Sequence, residues 1–317
     1  MTTMETKIKI GISACLLGER VRYDGGHKHN RYIHHTLGAF FEFSAFCPEV
    51  NIGLGIPRAP IRIVLEGSEE QPEQRVVGVK NPEKEYTQEL TGCADAQQHW
   101  VAELCGYIFK KDSPSCGMER VKAWRNDHPT RKGTGLFAQQ LIKNNPLLPC
   151  EEEGRLNDLH LRENFVERVY VYSRWKQLAE EGITAQKLVQ FHSRHKFIIL
   201  SHNQKKYREL GQLMSNIPKN DLDAFANNYI SQVMAVLKKP ATRKNHINVL
   251  QHLQGYLRPN LDGDDKKELL QAIEICRTKD GPLTVPRTLL RHYFRKFPDE
   301  YIARSYYLQP YPDELNF

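Results

Sequence analysis

Apolar residues recur along this chain with two different periods, and the change from one to the other divides it. Residues 7–13 (KIKIGIS) alternate apolar and polar positions, which predicts a half-buried strand. Residues 33–43 have helical spacing, and a short apolar run at 43–47 follows, broken by Pro48. Two β-branched runs, 61–65 and 75–79, flank a polar loop containing proline and predict a hairpin. Residues 87–104 place Leu90, Ala94, Trp100 and Leu104 roughly on one helical face. A buried strand at 106–110, a helix at 134–143 and a late strand at 147–150 complete the pattern. Strands that alternate with helices predict an α/β, Rossmann-like domain over 1–162 with a mostly parallel sheet.

From about Glu163 the period becomes helical throughout. Amphipathic segments cover 162–180, 185–200, 202–214, 222–237, 243–257, 264–276 and 285–297, with Pro240, Pro259, Gly281 and Pro298 between them. The expected organisation is therefore a connecting helix at 163–184 and an all-helical domain at 185–317. No internal repeat or low-complexity tract interrupts it.

Composition adds three constraints. Hydrophobic residues make up 40% of the 317 and charged residues 26%, as in a soluble globular protein. Neither a signal-peptide run nor a membrane-length apolar run is visible, so the expected compartment is the cytoplasm. The seven cysteines are odd in number and scattered, which argues against a secreted disulfide framework. Charge is also uneven: residues 185–317 hold 21 Lys+Arg against 13 Asp+Glu, while the remainder is nearly balanced. A basic back half suits an anionic partner, nucleic acid first, although solubility alone would also account for it.

The chemistry concentrates where strands end. Cys15, Cys47 and Cys116 each follow a predicted strand of the parallel sheet, and in such sheets ligands bind beyond the carboxyl ends of the strands. Cys93, Cys105, Cys150 and Cys276 fall in or beside apolar segments and read as packing. Three thiolates without a fourth would suit zinc with water as its last ligand, or an iron–sulfur cluster with one iron left free. Inert thiols remain the alternative, since no CxxC pair is present. Glu49 lies two residues beyond Cys47, and Ser113 and Ser115 flank Pro114 just before Cys116. A carboxylate and hydroxyls beside an open metal position can move protons, or the serines can simply cap a turn. Tyr23 could stack on a planar base, Asp24 could accept a hydrogen bond and Ser115 could contact substrate; either of the first two could instead form the turn at 21–26.

In the helical half, Arg194, Lys205, Lys206 and Arg208 sit near Tyr207, and Arg287, Arg291 and Arg295 recur every four residues beside Tyr293. Such stripes fit phosphate contact and base stacking. His192 and His195 read as hydrogen-bonded or surface histidines, with no carboxylate or cysteine at matching helical spacing.

The segments ISACLLGERVRYDGGHK (12–28), FCPEVNIGLGIPRAP (46–60) and FKKDSPSCG (109–117) together resemble the thiouracil desulfurase (desulfidase) family, over roughly residues 7–160. FHSRHKFIILSHNQKKYRELGQL (191–213) resembles a second, all-helical family that occurs fused to the first and covers about 185–300. The fusion looks like bacterial desulfidases that remove sulfur from 4-thiouridine in tRNA. The resemblance implies that Cys15, Cys47 and Cys116 hold a 4Fe–4S cluster through three irons, with the fourth binding the thiocarbonyl sulfur. It further implies proton transfer by Glu49 and Ser113, release of hydrogen sulfide and no net redox change. Two other readings stay open: a desulfidase of free 2-thiouracil or another small thio-base, and a non-catalytic, zinc-bearing RNA-binding module.

Overall fold

A computed structural model describes residues 7–68, 70, 72–278 and 281–315, and the chain divides into two compact units, Met1–Phe165 and Val166–Phe317. The first unit holds two four-stranded sheets. One is wholly parallel: β1 (Ile8–Ser13), β2 (Phe41–Phe46), β5 (Gly106–Phe109) and β8 (Cys150–Glu152) lie in the order β2-β1-β5-β8. Ile10, Ile12, Tyr107, Ile108 and Phe109 are fully buried in its centre. Because β1 pairs with both β2 and β5, the loops that leave these three strands emerge side by side.

The second sheet joins β3 (Ile61–Gly67), β4 (Pro72–Gly78), β6 (Val121–Arg125) and β7 (His128–Gly133) in the order β4-β3-β6-β7. The expected hairpin is its antiparallel β3/β4 pair. The β6/β7 hairpin was not expected, because VKAWR and HPTRKG are short, largely charged and interrupted by Pro129. Only Val121, Ala123 and Gly133 are buried there, and Val121 and Ala123 pack with Ile63, Leu65 and Leu90. Tertiary contact, not local pattern, makes these residues strands.

Two expected helices differ in extent. In place of a helix at 33–43, a wide turn at Tyr32–Thr36 and a tight turn at Leu37–Ala39 lead straight into β2. Phe41 and Phe43 belong to the strand's alternation, and Phe41 is buried. The segment expected as one helix at 87–104 breaks at Gln97 into α2 (Thr87–Ala96) and α3 (Gln98–Val101). A four-residue helix, α1 (Pro48–Asn51), precedes them, and α4 (Leu136–Asn144) follows.

Helix α5 (Leu159–Glu180) runs through the division between the units. The second unit continues with α6 (Ala185–His202), α7 (Gln204–Ser215), α8 (Leu222–Leu237), α9 (Arg243–Leu257), α10 (Gly263–Thr278), α11 (Thr284–Lys296) and α12 (Glu300–Ala303). Side chains of Thr184, Asn203, Thr242 and Asp299 accept the first free amides of α6, α7, α9 and α12, which fixes where these helices begin. No described helix is long and apolar enough to cross a membrane.

Two histidines of α6 are built into this unit. His192 Nδ1 meets the Tyr229 hydroxyl at 3.0 Å, and His195 is 1% exposed. Burial lowers His192 to about 4 and His195 to about 3. Both rings are neutral in the fold, whereas an unfolded chain takes up their protons as pH drops below about 6.5. Stability is thus fully present above pH 6.5 and is lost as pH falls toward the folded values. The expected loss is on the order of 3 kcal/mol between pH 6.5 and 5. Urea unfolding at the two pH values checks it: the double variant His192→Gln/His195→Gln should lose most of this slope, and an unchanged slope would refute the assignment.

Candidate functional site

The three cysteines arrive at the same end of the parallel sheet by three different routes. Cys15 lies in a tight turn, Ala14–Leu17, directly after β1. Its carbonyl accepts the Lys28 amide at 2.8 Å, which folds the loop after Gly18 back over the strand end. Cys47 stands between β2 and α1, where Pro48 supplies a preset first helical position and Glu49 falls in the first turn. Cys116 follows β5 through the turn Ser113–Pro114–Ser115. That turn is docked on α4: the Gly117, Pro114 and Ser115 carbonyls accept the amides of Gly135, Leu136 and Ala138. They satisfy amides that a helix start leaves free. Gly135 is required for the approach, since a Cβ there would lie 2.6 Å from the Ser115 carbonyl.

All three cysteines line one cavity of about 760 Å³, together with Glu49, Ser113, Ser115 and Tyr23. Cys15 and Cys116 are buried and Cys47 is half-buried. Burial pushes the Cys15 thiol up to about 11 and raises Cys47 and, further, Cys116. Seven basic side chains line the cavity against two acidic ones. This donor set fits an anionic cluster with three thiolates: bound iron would draw off the protons that burial holds on the sulfurs, and the basic walls would offset the charge. Among the described residues, no three His, Cys, Asp or Glu side chains converge where one metal ion could sit. A zinc site needs such a point, whereas a cluster binds each cysteine to a different iron.

Beside the thiols runs a short polar chain. Ser115 Oγ donates to Glu49 Oε1 at 2.5 Å, and Ser113 Oγ lies 3.0 Å from Ser115 Oγ. Ser113 Oγ also accepts the Cys116 amide at 3.1 Å, so it shapes the turn as well as ending the chain. Glu49 Oε2 is gripped by Arg58 Nε and Nη2 at 2.9 and 2.7 Å. Arg58 Nη1 in turn donates to the carbonyls of Val21 and Gly55. Glu49 therefore presents one fixed oxygen to Ser115.

Arg58 was not singled out from sequence, although it lies in the GIPRAP segment. Its isolated charge carried no local signal, because its partner arrives from another turn. The same holds for Glu153, in the turn just after β8. It accepts Lys110 Nζ and the Lys111 amide, each at 2.6 Å, and so anchors the start of the Cys116 loop.

The other expected site residues are placed unevenly. Tyr23 is exposed on the cavity lining with the Arg22 guanidinium over its ring. Asp24 accepts the Gly26 amide at 3.0 Å, an interaction that keeps its carboxyl below the ordinary range and closes the turn. In the helical unit, Arg194, Arg208 and Arg295 are exposed, while Lys205 and Lys206 both approach Glu209. Arg291 is held by both oxygens of Asp313 at 2.7 and 2.6 Å, and half-buried Arg287 lies over Tyr307. The α11 stripe thus spends two of its three guanidiniums inside the unit.

Comparison with known proteins agrees with this division of the chain. Residues 10–153 match the model of the 2-thiouracil desulfurase family, and residues 196–312 match DUF1722, a family of unknown function. The uncharacterized protein YbgA of Escherichia coli (strain K12) is 33% identical over 150 residues, spanning 47% of this chain and 89% of its own. A solved structure, the [4Fe-4S]-dependent thiouracil desulfidase TudS, is 31% identical, with a TM-score of 0.38, over 49% of this chain and 97% of that one. The chain belongs to the 2-thiouracil desulfurase family, joined to a DUF1722 domain.

Proposed function

We propose that the first unit is a 4Fe–4S-dependent desulfidase that replaces the sulfur of a thiolated uracil by oxygen, and that its substrate is 4-thiouridine in tRNA. The observation that carries the reading is the meeting of Cys15, Cys47 and Cys116 with the Glu49–Ser115–Ser113 chain in one cavity. Cys15, Cys47 and Cys116 would hold the cluster. When bound, a cluster with one iron free of cysteine supplies a soft Lewis acid for the thiocarbonyl sulfur.

The chain's own residues handle the protons. Water adds to the ring carbon and gives a proton to Glu49, through Ser115 or directly. The C–S bond then breaks, with its electron pair leaving on sulfur. Return of protons through the same hydroxyls releases hydrogen sulfide, and the ring keeps a carbonyl. One water is consumed and no electrons are gained or lost. Arg58 holds Glu49 in one orientation throughout.

What favours tRNA over a free base is the net basic helical unit, with 21 Lys+Arg against 13 Asp+Glu over residues 185–317. The test is sulfide release by anaerobically reconstituted protein from thiolated tRNA and from free 2-thiouracil. Release from tRNA at the higher kcat/KM is expected. Faster turnover of the free base would move the substrate to small thio-bases, and no release from either with an intact cluster would sink the desulfidase.

A further inference from the structure

We infer that the helical unit contains an oxyanion pocket which takes one phosphodiester group of RNA together with a neighbouring ribose hydroxyl. The inference deepens the tRNA reading and rests on it for the identity of the partner. The walls of the pocket, of about 180 Å³, include Arg174 of α5, Lys187, Arg194 and His195 of α6, Tyr306 and one carboxylate, Glu181, which pairs with Lys187. Its size is below the roughly 300 Å³ at which pockets begin to hold whole small molecules. A single oxyanion fits; a nucleobase with its sugar does not.

Its polar groups lack partners in a way that an anion would complete. The Arg174 guanidinium lies 3.6 Å over the Tyr306 ring, and one of its nitrogens donates to the Pro310 carbonyl. Its Nη1 is buried with no acceptor. Arg194 reaches the same ring from further out and donates to the Tyr306 hydroxyl at 3.3 Å. Among the described residues no carboxylate lies within ion-pair distance of either guanidinium, whereas Lys187 is shared with Glu181. Burial brings Arg174 down to about 10, against the opposing pull of Tyr306, Tyr170 and Glu167, and Arg194 adds a smaller repulsion. Two unpaired guanidiniums facing one small cavity are the arrangement that binds phosphate oxygens.

His195 distinguishes the ligand. It is 1% exposed, and its Nδ1 lies 2.7 Å from the Phe191 carbonyl, so Nδ1 carries the proton. Nε2 is then an acceptor, and it has no partner. A cavity with two cationic donors and one buried acceptor suits an anion whose neighbour carries a hydroxyl. In RNA the 2′-hydroxyl lies next to the phosphodiester, and DNA has none.

The experiment uses the full chain and an unmodified tRNA transcript, so that no sulfur chemistry enters. Arg194→Gln removes an exposed charge without opening the core, and Arg174→Lys keeps the charge but loses the planar fork. Each is expected to weaken transcript binding about five- to tenfold near 100 mM salt; Arg194→Gln should also lower the slope of log K against log salt by about one, whereas Arg174→Lys, which keeps the charge, should leave the slope unchanged. Inorganic phosphate, against chloride at equal ionic strength, should raise the Tm of the parent chain and leave that of Arg194→Gln unmoved. A DNA copy of the transcript should bind more weakly than the RNA. Unchanged transcript affinity and slope in both variants would overturn the pocket as an RNA site. Loss of the phosphate effect with RNA binding intact would also overturn it, in favour of free phosphate. Normal transcript binding without sulfide release would leave the pocket standing and remove the desulfidase reading instead.

Discussion

Cys116→Ala should lose the cluster and all sulfide release while the chain stays folded. Without metal the Cys116 thiol is neutral, because burial raises it well above its ordinary range. Its removal therefore costs packing and a weak hydrogen bond from Ser115 Oγ, about 1 kcal/mol. In the proposed ligand set it is one of three cysteines drawn from loops far apart in sequence, and no CxxC neighbour could replace it. Iron and acid-labile sulfide analysis of anaerobically prepared protein, with the brown visible absorption, checks this directly. Cys15→Ala and Cys47→Ala should behave alike. Cys93→Ala is the control: that thiol is buried, donates to Asn51 Oδ1 at 3.2 Å and is not on the cavity lining, so cluster and activity should both survive. A full complement of iron in Cys116→Ala would remove the ligand set proposed above.

Glu49→Gln should separate catalysis from cluster binding. The substitution keeps the shape of the side chain but removes the acid–base group, a change expected to lower kcat by about 10²- to 10⁴-fold with iron content unchanged. It should also destabilise the fold. The Arg58 side chain is only 4% exposed, and a buried charge stripped of its partner costs about 3–5 kcal/mol. Replacing both members by uncharged residues of similar volume avoids that cost. Glu49→Gln/Arg58→Met is accordingly expected to recover most of the lost stability in urea unfolding and none of the lost rate. Recovery of sulfide release in the double variant would show that Glu49 acts only through the ion pair. Ser115→Ala, which cuts the chain between Glu49 and Ser113, should fall between the parent and Glu49→Gln in rate.

Much of this site was legible as a set of strand ends. The alternation of residues 7–13 and the apolar runs before Cys47 and Cys116 mark three strands, each followed by a cysteine. A parallel sheet gathers such positions at one edge. Glu49 was legible for the same reason, since two residues of chain cannot carry it far from Cys47. Most helices of the second unit were legible, because amphipathic period, caps and prolines are local signals.

What resisted reading depends on partners distant in sequence. The β6/β7 hairpin has no pattern of its own and is a strand pair only because β3 offers an edge and Ile63 and Leu65 a face. Arg58 and Glu153 look like ordinary surface charges until the turns that carry Glu49 and Lys110 reach them. The basic stripe of α11 shows the opposite case. Helical spacing showed three arginines on one face, but it could not show that Asp313 returns to hold Arg291 or that Arg287 turns over Tyr307.

The sequence by itself thus determined the two kinds of architecture, a parallel-sheet α/β part and a mostly helical part, and the strand ends at which three cysteines fall, all of which follow from local period and from the topology of a parallel sheet. Only the tertiary structure decided which charges are spent. It pairs Arg58 with Glu49 and Arg291 with Asp313, while Arg174 and Arg194 meet no carboxylate at ion-pair distance among the described residues, because an ion pair is made by residues that meet in space, and periodicity records only those that are neighbours along the chain.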